Sequence, residues 1–305
     1  MIPIIIIEGA TATGKSLLAL ELAQKFNTEI ISADSRQVYK YLDIGTAKPT
    51  KDELKAVKHH LIDIINPDES YNAGLFRKES LLVINRLVKD NKIPIVCGGT
   101  GLYVKALLEG LFQEDIQDKV IRKELENEYN TKGLTVLYEE LTKNDSALAN
   151  KLSSNDKHRI LRALEVYRST GIPISEHWSN QSREKLFNPF RILLNEDRAI
   201  LYHRIDQRII DMVKKGLIEE IKSLLESGFS LDNPGFNSVG YKEYKPYIEN
   251  DIELDKCVEM AQQHTRNYAK RQITWYRKCT FNLAETYSSI NIISVAEQID
   301  RYFNR

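Results

Sequence analysis

The eight residues Gly9-Ala10-Thr11-Ala12-Thr13-Gly14-Lys15-Ser16 constrain this chain more than any other stretch. They fit the pattern Gly-x4-Gly-Lys-[Ser/Thr]. They stand between a β-branched run at 2–7 and a segment with Leu18, Leu22 and Phe26 at four-residue spacing. The run reads as a strand buried on both faces, and the spaced apolar residues read as a helix. In such a turn the backbone N–H groups wrap a phosphate and Gly14 permits close approach. The helix presents its positive dipole end, Lys15 adds a mobile cation, and the Ser16 hydroxyl can ligand Mg²⁺. The alternative is a plain strand-to-helix turn.

Other punctuation supports an open α/β sheet. Residues 29–33 read as a second strand ending at Asp34, 75–89 as a helix, and 94–97 as a third strand ending at Gly98-Gly99-Thr100. Strand, helix, strand in this order implies right-handed crossovers and a doubly wound sheet. After Gln113 the texture changes. Residues 115–167 are dense in charge and Leu, and read as several helices with breaks near Gly133 and 153–156. A strand at 190–194 then returns to the sheet, followed by long amphipathic helices near 200–226 and 252–278. The expected fold is α/β: a P-loop NTPase-like parallel sheet flanked by helices at 1–113 and 190–305, interrupted by an all-helical insertion at 114–189.

Composition limits the function classes. Lys plus Arg and Asp plus Glu both number 43, so the net charge is zero, which argues mildly against a nucleic-acid partner. However, 262–278 concentrates Arg266, Lys270, Arg271, Arg277 and Lys278 with no acid. Cys97, Cys257 and Cys279 form no Cys-x-x-Cys clip, which fits a reducing compartment. No apolar run approaches a membrane span, and the N-terminus lacks targeting features. A cytoplasmic chain, a monomer without membrane contact, is expected. His59-His60 lacks an acid or Cys at metal-ligand spacing.

A P-loop specifies phosphate, not phosphoryl transfer. ATPases usually carry a second apolar strand ending in Asp. Here 95–97 runs into Gly98-Gly99-Thr100, and the acid that follows a strand is Asp34, at the ligand-binding end of the sheet.

Further blocks make the pattern specific. They are Asp34-Ser35-Arg36-Gln37-Val38-Tyr39, Ile44-Gly45-Thr46-Ala47-Lys48-Pro49, His59-His60-Leu61-Ile62-Asp63 and Gly98-Gly99-Thr100-Gly101-Leu102-Tyr103. Later come His158-Arg159-Ile160-Leu161-Arg162-Ala163-Leu164-Glu165, Gly240-Tyr241-Lys242-Glu243 and Thr265-Arg266-Asn267-Tyr268-Ala269-Lys270-Arg271-Gln272-Ile273-Thr274-Trp275. In this order, over nearly the whole chain, they resemble the tRNA dimethylallyltransferases, the adenosine-37 isopentenyltransferase family. The departures are Ala10 where Pro is usual, Thr13 for Ser and Tyr276 for Phe.

The resemblance implies transfer of a dimethylallyl group from dimethylallyl diphosphate to N6 of adenosine 37, in tRNAs reading codons that begin with U. The P-loop, Lys15 and Ser16-bound Mg²⁺ would then grip the substrate's diphosphate and stabilise its departure. Asp34 would accept the N6 proton, the alternatives being a helix cap or a metal ligand. Thr100 would reach N6 or a phosphate, or cap the next helix. Arg204 and Arg208, on one helix face, would approach the diphosphate or pair with Asp206 or Asp211. Asp34 and Thr100 would also touch the RNA base. Ser35, Arg36 and Gln37 would bond loop bases, and Arg122, His158, Arg159, Arg162, Lys270, Arg271, Gln272 and Trp275 would hold the anticodon stem-loop. For any one of these RNA contacts taken alone, base rates favour a solvated helix face; the family resemblance is what raises the group. The competing readings are a P-loop small-molecule kinase, a prenyltransferase acting on free AMP or ATP, and a non-catalytic RNA-binding protein.

Overall fold

The structure is a computed structural model that describes residues 1–110, 118–180 and 185–304. The described elements run β1 (Ile2–Gly9), α1 (Lys15–Lys25), β2 (Ile30–Ser32), α2 (Lys51–Ala56), β3 (His59–His60), α3 (Ala73–Lys89), β4 (Ile95–Gly98) and α4 (Gly101–Glu109). Five helices follow: α5 (Lys119–Lys132), α6 (Leu134–Asn144), α7 (Ser146–Ala149), α8 (Lys157–Thr170) and α9 (Ile174–Asn180). The chain continues with β5 (Phe187–Asn195), α10 (Arg198–Lys214), α11 (Leu217–Glu226), a 3-10 turn at Lys242–Tyr244, α12 (Lys245–Ile248), α13 (Leu254–Tyr276), β6 (Leu283–Thr286) and α14 (Ile292–Phe303). Two compact units result, one of residues 1–108 and 185–305, the other of 109–184. The expected domain limit at 113–114 lies outside the described residues, and β5 starts three residues before the expected limit at 190.

In the first unit all strands are parallel, in the order β3-β2-β4-β1-β5-β6. Ile4, Ile5, Ile6 and Ile7 on β1 are all fully buried, as a central parallel strand requires. Ile5 and Ile7 pack with Leu18 and Leu22 of α1 and with Val295 and Ile299 of α14. The short strands β3 and β6 escape sequence reading. His59-His60 has no strand signature, and its two residues are held by pairing to Ile30 and Ile31.

The long helix expected at 200–226 is two helices. The stripe Leu201, Ile205, Ile209, Met212 of α10 steps by four, four and three residues, and the next buried residue is Leu217. A five-residue step would carry an unbroken helix off the core, so the chain turns at Gly216, with φ +96°, and restarts the stripe.

The second unit has its own core of Leu125, Leu137, Leu141, Ile160, Leu161 and Leu164. Asp145 is buried there, capping α7 at the Leu148 N–H (3.0 Å) and accepting from the Ser175 N–H and hydroxyl of α9 (3.0 and 2.6 Å).

Candidate active site

The site forms where β1, β2 and β4 end. After β1 the chain turns through Ala12, at φ +65°, and Gly14, at φ +91°, into α1. The Thr13 hydroxyl donates to the Ala10 carbonyl at 2.8 Å, closing the loop on itself. The Lys15 ammonium rests on the same carbonyl at 3.2 Å. Burial lowers the Lys15 pKa below the usual lysine range, and the Cys97 and Asp34 side chains oppose that shift. Beneath it, burial pushes the Cys97 thiol up to about 12, so it stays protonated and unreactive.

After β2 the Asp34 carboxylate accepts the Arg36 N–H at 2.8 Å, and the Ser35 N–H donates to Thr100 Oγ1 at 3.1 Å. These bonds hold the acid and the hydroxyl, from two strand ends, beside one another. Asp34 lines a cavity of about 370 Å³ together with Thr11, Ser35, Arg36, Gly45, Thr46, Arg208, Tyr268 and Arg271, with Ile205, Ile209, Met212 and Val239 forming apolar wall. A further space of about 370 Å³ lies against Gly14, Lys15 and Ser16, and one of about 770 Å³ against Arg204, Lys48 and Ala47. Arg208 lines all three. Its guanidinium reaches Thr11 Oγ1 at 3.5 Å, and burial lowers its pKa against the pull of Asp34. A P-loop with two cations on one side of Arg208, and a carboxylate with an apolar wall on the other, can hold an anionic leaving group and take up a proton.

The comparisons with known proteins decide the family. The family model described as IPP transferase matches residues 37–279. The chain belongs to the IPP transferase family. It is 46% identical over 279 residues to a tRNA dimethylallyltransferase of Carboxydothermus hydrogenoformans, covering 90% of this chain and 89% of the relative. It is 43% identical over 275 residues to one from Thermotoga maritima, covering 90% and 89%. Among solved structures, a tRNA isopentenylpyrophosphate transferase of Staphylococcus epidermidis shares 35% identity at a TM-score of 0.72, covering 100% of this chain and 99% of that one. A eukaryotic dimethylallyltransferase acting on tRNA shares 31% identity at a TM-score of 0.86, covering 100% and 80%. The P-loop-type sheet flanked by helices is thus the fold of an IPP transferase.

Within this IPP transferase site, several residues singled out from the sequence stand elsewhere than expected. Gln272 is buried, not facing RNA. Its Oε1 accepts the Thr11 N–H at 2.9 Å and its Nε2 donates to the Gly99 carbonyl at 2.8 Å, so it clamps the P-loop to the end of β4. Gln37 is likewise engaged: its Oε1 accepts the Ser32 hydroxyl at 2.9 Å and its Nε2 donates to the Ala47 carbonyl at 3.1 Å. Both are positioning groups, because an amide with both ends bonded offers little to a ligand. Trp275 packs against Gly101 at the start of α4, where a Cβ would come within 2.1 Å of the indole nitrogen. Arg204 pairs with Glu196 at 2.8 Å, not with Asp206 or Asp211, and Asp206 is taken by Arg266. Lys270 and Arg271 are exposed on α13, and of the two only Arg271 lines the cavity.

In the helical unit Arg122 and Arg162 approach the buried Glu165 at 3.6 and 3.2 Å, and Arg159 approaches Asp156 at 3.4 Å. His158 and Arg159 are exposed near the start of α8.

Sequence reading passed over two features. Tyr268 lines the cavity beside Asp34, yet its spacing on α13 looks like ordinary helix surface. The Gly45–Thr46 wall is fixed from α11 by Glu220, which accepts the Asp43 and Ile44 N–H groups (3.1 and 2.9 Å) and the Tyr241 hydroxyl (2.6 Å). Tyr241 in turn accepts the Gly45 N–H at 3.0 Å, and its ring fills the space where any larger residue at 45 would place its Cβ. Burial raises the Glu220 pKa, and the bonds from Tyr241, Ile44 and Asp43 pull it back. These partners lie far apart in sequence, so no local pattern announces them.

Proposed function

We propose that this chain transfers the dimethylallyl group of dimethylallyl diphosphate to N6 of adenosine 37 in the anticodon loop of tRNAs reading codons that begin with U. The products are N6-(dimethylallyl)adenosine and pyrophosphate. The observation that carries this reading is the placement of Asp34 in one cavity with P-loop Thr11 and Arg208. An acid is thus available at the nucleophile while cations meet the leaving group.

The carbon attacked is allylic, so the C1–O bond breaks early and its electron pair leaves with the pyrophosphate. Catalysis rests on meeting that charge, by the P-loop N–H groups, Lys15 and Arg208. Lys15 and Arg208 are partly desolvated, and an arriving diphosphate restores the interactions that burial removed. N6 then bonds to C1 and becomes acidic, and Asp34 takes its proton. No ATP is consumed. The target base is unpaired in a loop, which lowers the cost of turning it into the cavity.

Mg²⁺ fits the donor set. Ser16 is exposed in the first turn of α1 and lines one space with Lys15 and Arg208. Among the described residues no group of three or more His, Cys, Asp or Glu is placed to hold a metal. A Ser16-bound Mg²⁺ would take most of its ligands from diphosphate and water, and would supply further neutralisation of the leaving group. Arg36, Arg271 and Lys270 of the first unit, and His158, Arg159, Arg162 and Arg122 of the helical unit (114–189 in the sequence reading), are proposed RNA contacts. No helix among the described residues is long and apolar enough to cross a membrane. A cytoplasmic monomer completes the reading.

The test uses the full chain with Mg²⁺, radiolabelled dimethylallyl diphosphate and unmodified tRNA, without ATP. Label entering tRNA, and lost when adenosine 37 is replaced, is expected. Label entering AMP alone, or no transfer at all, contradicts the proposal.

A further inference from the structure

Asp34 stands on a turn between two anchored residues. Ser32, the last residue of β2, donates its hydroxyl to Gln37 Oε1 at 2.9 Å, so one side-chain bond closes the turn across Asp34. Inside it the Asp34 carboxylate accepts the Arg36 N–H at 2.8 Å. The other end of the Gln37 amide reaches out of the turn. Its Nε2 donates to the Ala47 and Thr46 carbonyls, at 3.1 and 3.4 Å. The turn that carries the acid is therefore only as well placed as the loop at 43–47.

This loop has a bond of its own, from the Ala47 N–H to the Ile44 carbonyl at 3.0 Å, but its placement depends on groups outside it. Ala47 has φ +48°, a conformation that costs a non-glycine residue free energy and persists only where the surroundings impose it. The Lys48 ammonium ties the far end of the loop to the Tyr39 carbonyl at 2.7 Å. The near end is held from α11. Glu220 Oε2 accepts the Asp43 and Ile44 N–H groups, at 3.1 and 2.9 Å, and Oε1 accepts the Tyr241 hydroxyl at 2.6 Å. That hydroxyl in turn accepts the Gly45 N–H at 3.0 Å. Three donors thus converge on one side chain. A carboxylate meets them with acceptors on both oxygens, whereas an amide would turn its NH2 group toward one of them.

We propose that Glu220 is a positioning residue for the transfer step: through the loop at 43–47 and Gln37 it sets where Asp34 stands relative to the base. Gly45 and Thr46 line the same cavity as Asp34, so the loop is also part of the wall that the base meets. The bonds that close the P-loop, and the contact of Arg208 with Thr11, lie outside this chain of bonds. Loss of Glu220 therefore separates the chemical step from diphosphate binding. The inference rests on the prenyl-transfer reading above and adds to it a residue that touches no substrate.

The experiment compares wild type with Glu220→Gln, Tyr241→Phe and the double variant, all in the full chain. Tyr241→Phe removes one oxygen and keeps the ring that packs against Gly45. The first readout is the single-turnover rate constant for label transfer, with enzyme in excess and both substrates saturating. That constant does not depend on the fraction of enzyme that is folded. The second is affinity for dimethylallyl diphosphate and for the anticodon stem-loop. Each single variant should transfer roughly 10- to 100-fold more slowly, with both affinities within about threefold of wild type. The double variant should match the slower single, because both side chains act through one loop. A merely structural role would lower the melting temperature or the yield of active enzyme and leave the rate constant at the wild-type value, which would overturn the proposal. Effects that multiply in the double variant, or affinities that fall in step with the rate, would overturn it as well. Should Glu220→Gln fold poorly, Tyr241→Phe carries the test, and an unchanged rate constant there is equally decisive. Absence of any transfer to tRNA by wild type would instead reject the proposed function, and that outcome is read in the same assay.

Discussion

In the helical unit Arg168 lies between Glu128 and Glu140, at 2.7 and 2.6 Å, and Arg122 and Arg162 share the buried Glu165. In the α/β unit the cations at the cavity are placed differently. Arg36, Lys242 and Arg271 line it and enter no ion pair among the described residues. Lys15 and Arg208 rest on a carbonyl and a hydroxyl. The difference teaches how to tell a scaffold charge from a functional one. A partly buried arginine with two carboxylates is neutralised, and its loss leaves acids uncompensated. A desolvated cation that touches only neutral groups is under-satisfied until an anion arrives, which is the condition for strong differential binding of a leaving group.

Four substitutions separate the scaffold charges from the functional ones. Arg208→Ala should lower single-turnover transfer by roughly 10²- to 10³-fold, with little change in melting temperature. A large drop in stability with normal chemistry would put Arg208 among the scaffold charges. Arg168→Ala should do the reverse. Thermal or urea unfolding should show a loss of about 1–3 kcal/mol, while binding of dimethylallyl diphosphate persists.

Glu29 gives a pH test remote from the site. Burial raises its pKa, but the bonds from Arg86 and His60 outweigh this and hold it at about 2, against 4.5 unperturbed. A depressed carboxylate stabilises the fold above its unfolded pKa, and that stability is lost as pH falls from about 4.5 toward about 2. Glu29→Gln should remove about 1–2 kcal/mol of stability at neutral pH, the figure discounted because Arg86 is 42% exposed, and should flatten the acid limb of the unfolding curve. The smallest effect belongs to Arg159, 69% exposed beside Asp156. Arg159→Ala should raise KM for tRNA by only about threefold and leave stability unchanged.

How much of this was legible in the sequence differs between backbone and side-chain partners. Strand β1, helix α1 and the loop between them are each announced locally, by an isoleucine run, a four-residue stripe and Gly14 before Lys15. Asp34 and Thr100 could be placed at strand ends for the same reason. The break at Gly216 was masked because each half of 200–226 is a good helix, and only the phase of the buried stripe reveals the interruption. Gln37 and Gln272 were read as ligand contacts because a polar residue next to a family block looks available. The bonds of Gln272 to backbone groups 173 and 261 residues away exist only once the sheet has formed, whereas those of Gln37 to Ser32 and Ala47 depend on how the loop after β2 folds back. Tyr268 went unremarked because its place in the cavity beside Asp34 exists only once α13 has packed against the sheet.

In the proposed reaction Asp34 takes the proton as the new bond forms, while the P-loop side holds the leaving group. The direct test is single-turnover transfer by Asp34→Asn, with dimethylallyl diphosphate and tRNA affinities measured on the same preparation. The predicted result is transfer slower by roughly 10²- to 10⁴-fold with both substrates still bound. Transfer at the wild-type rate by Asp34→Asn would contradict the claim.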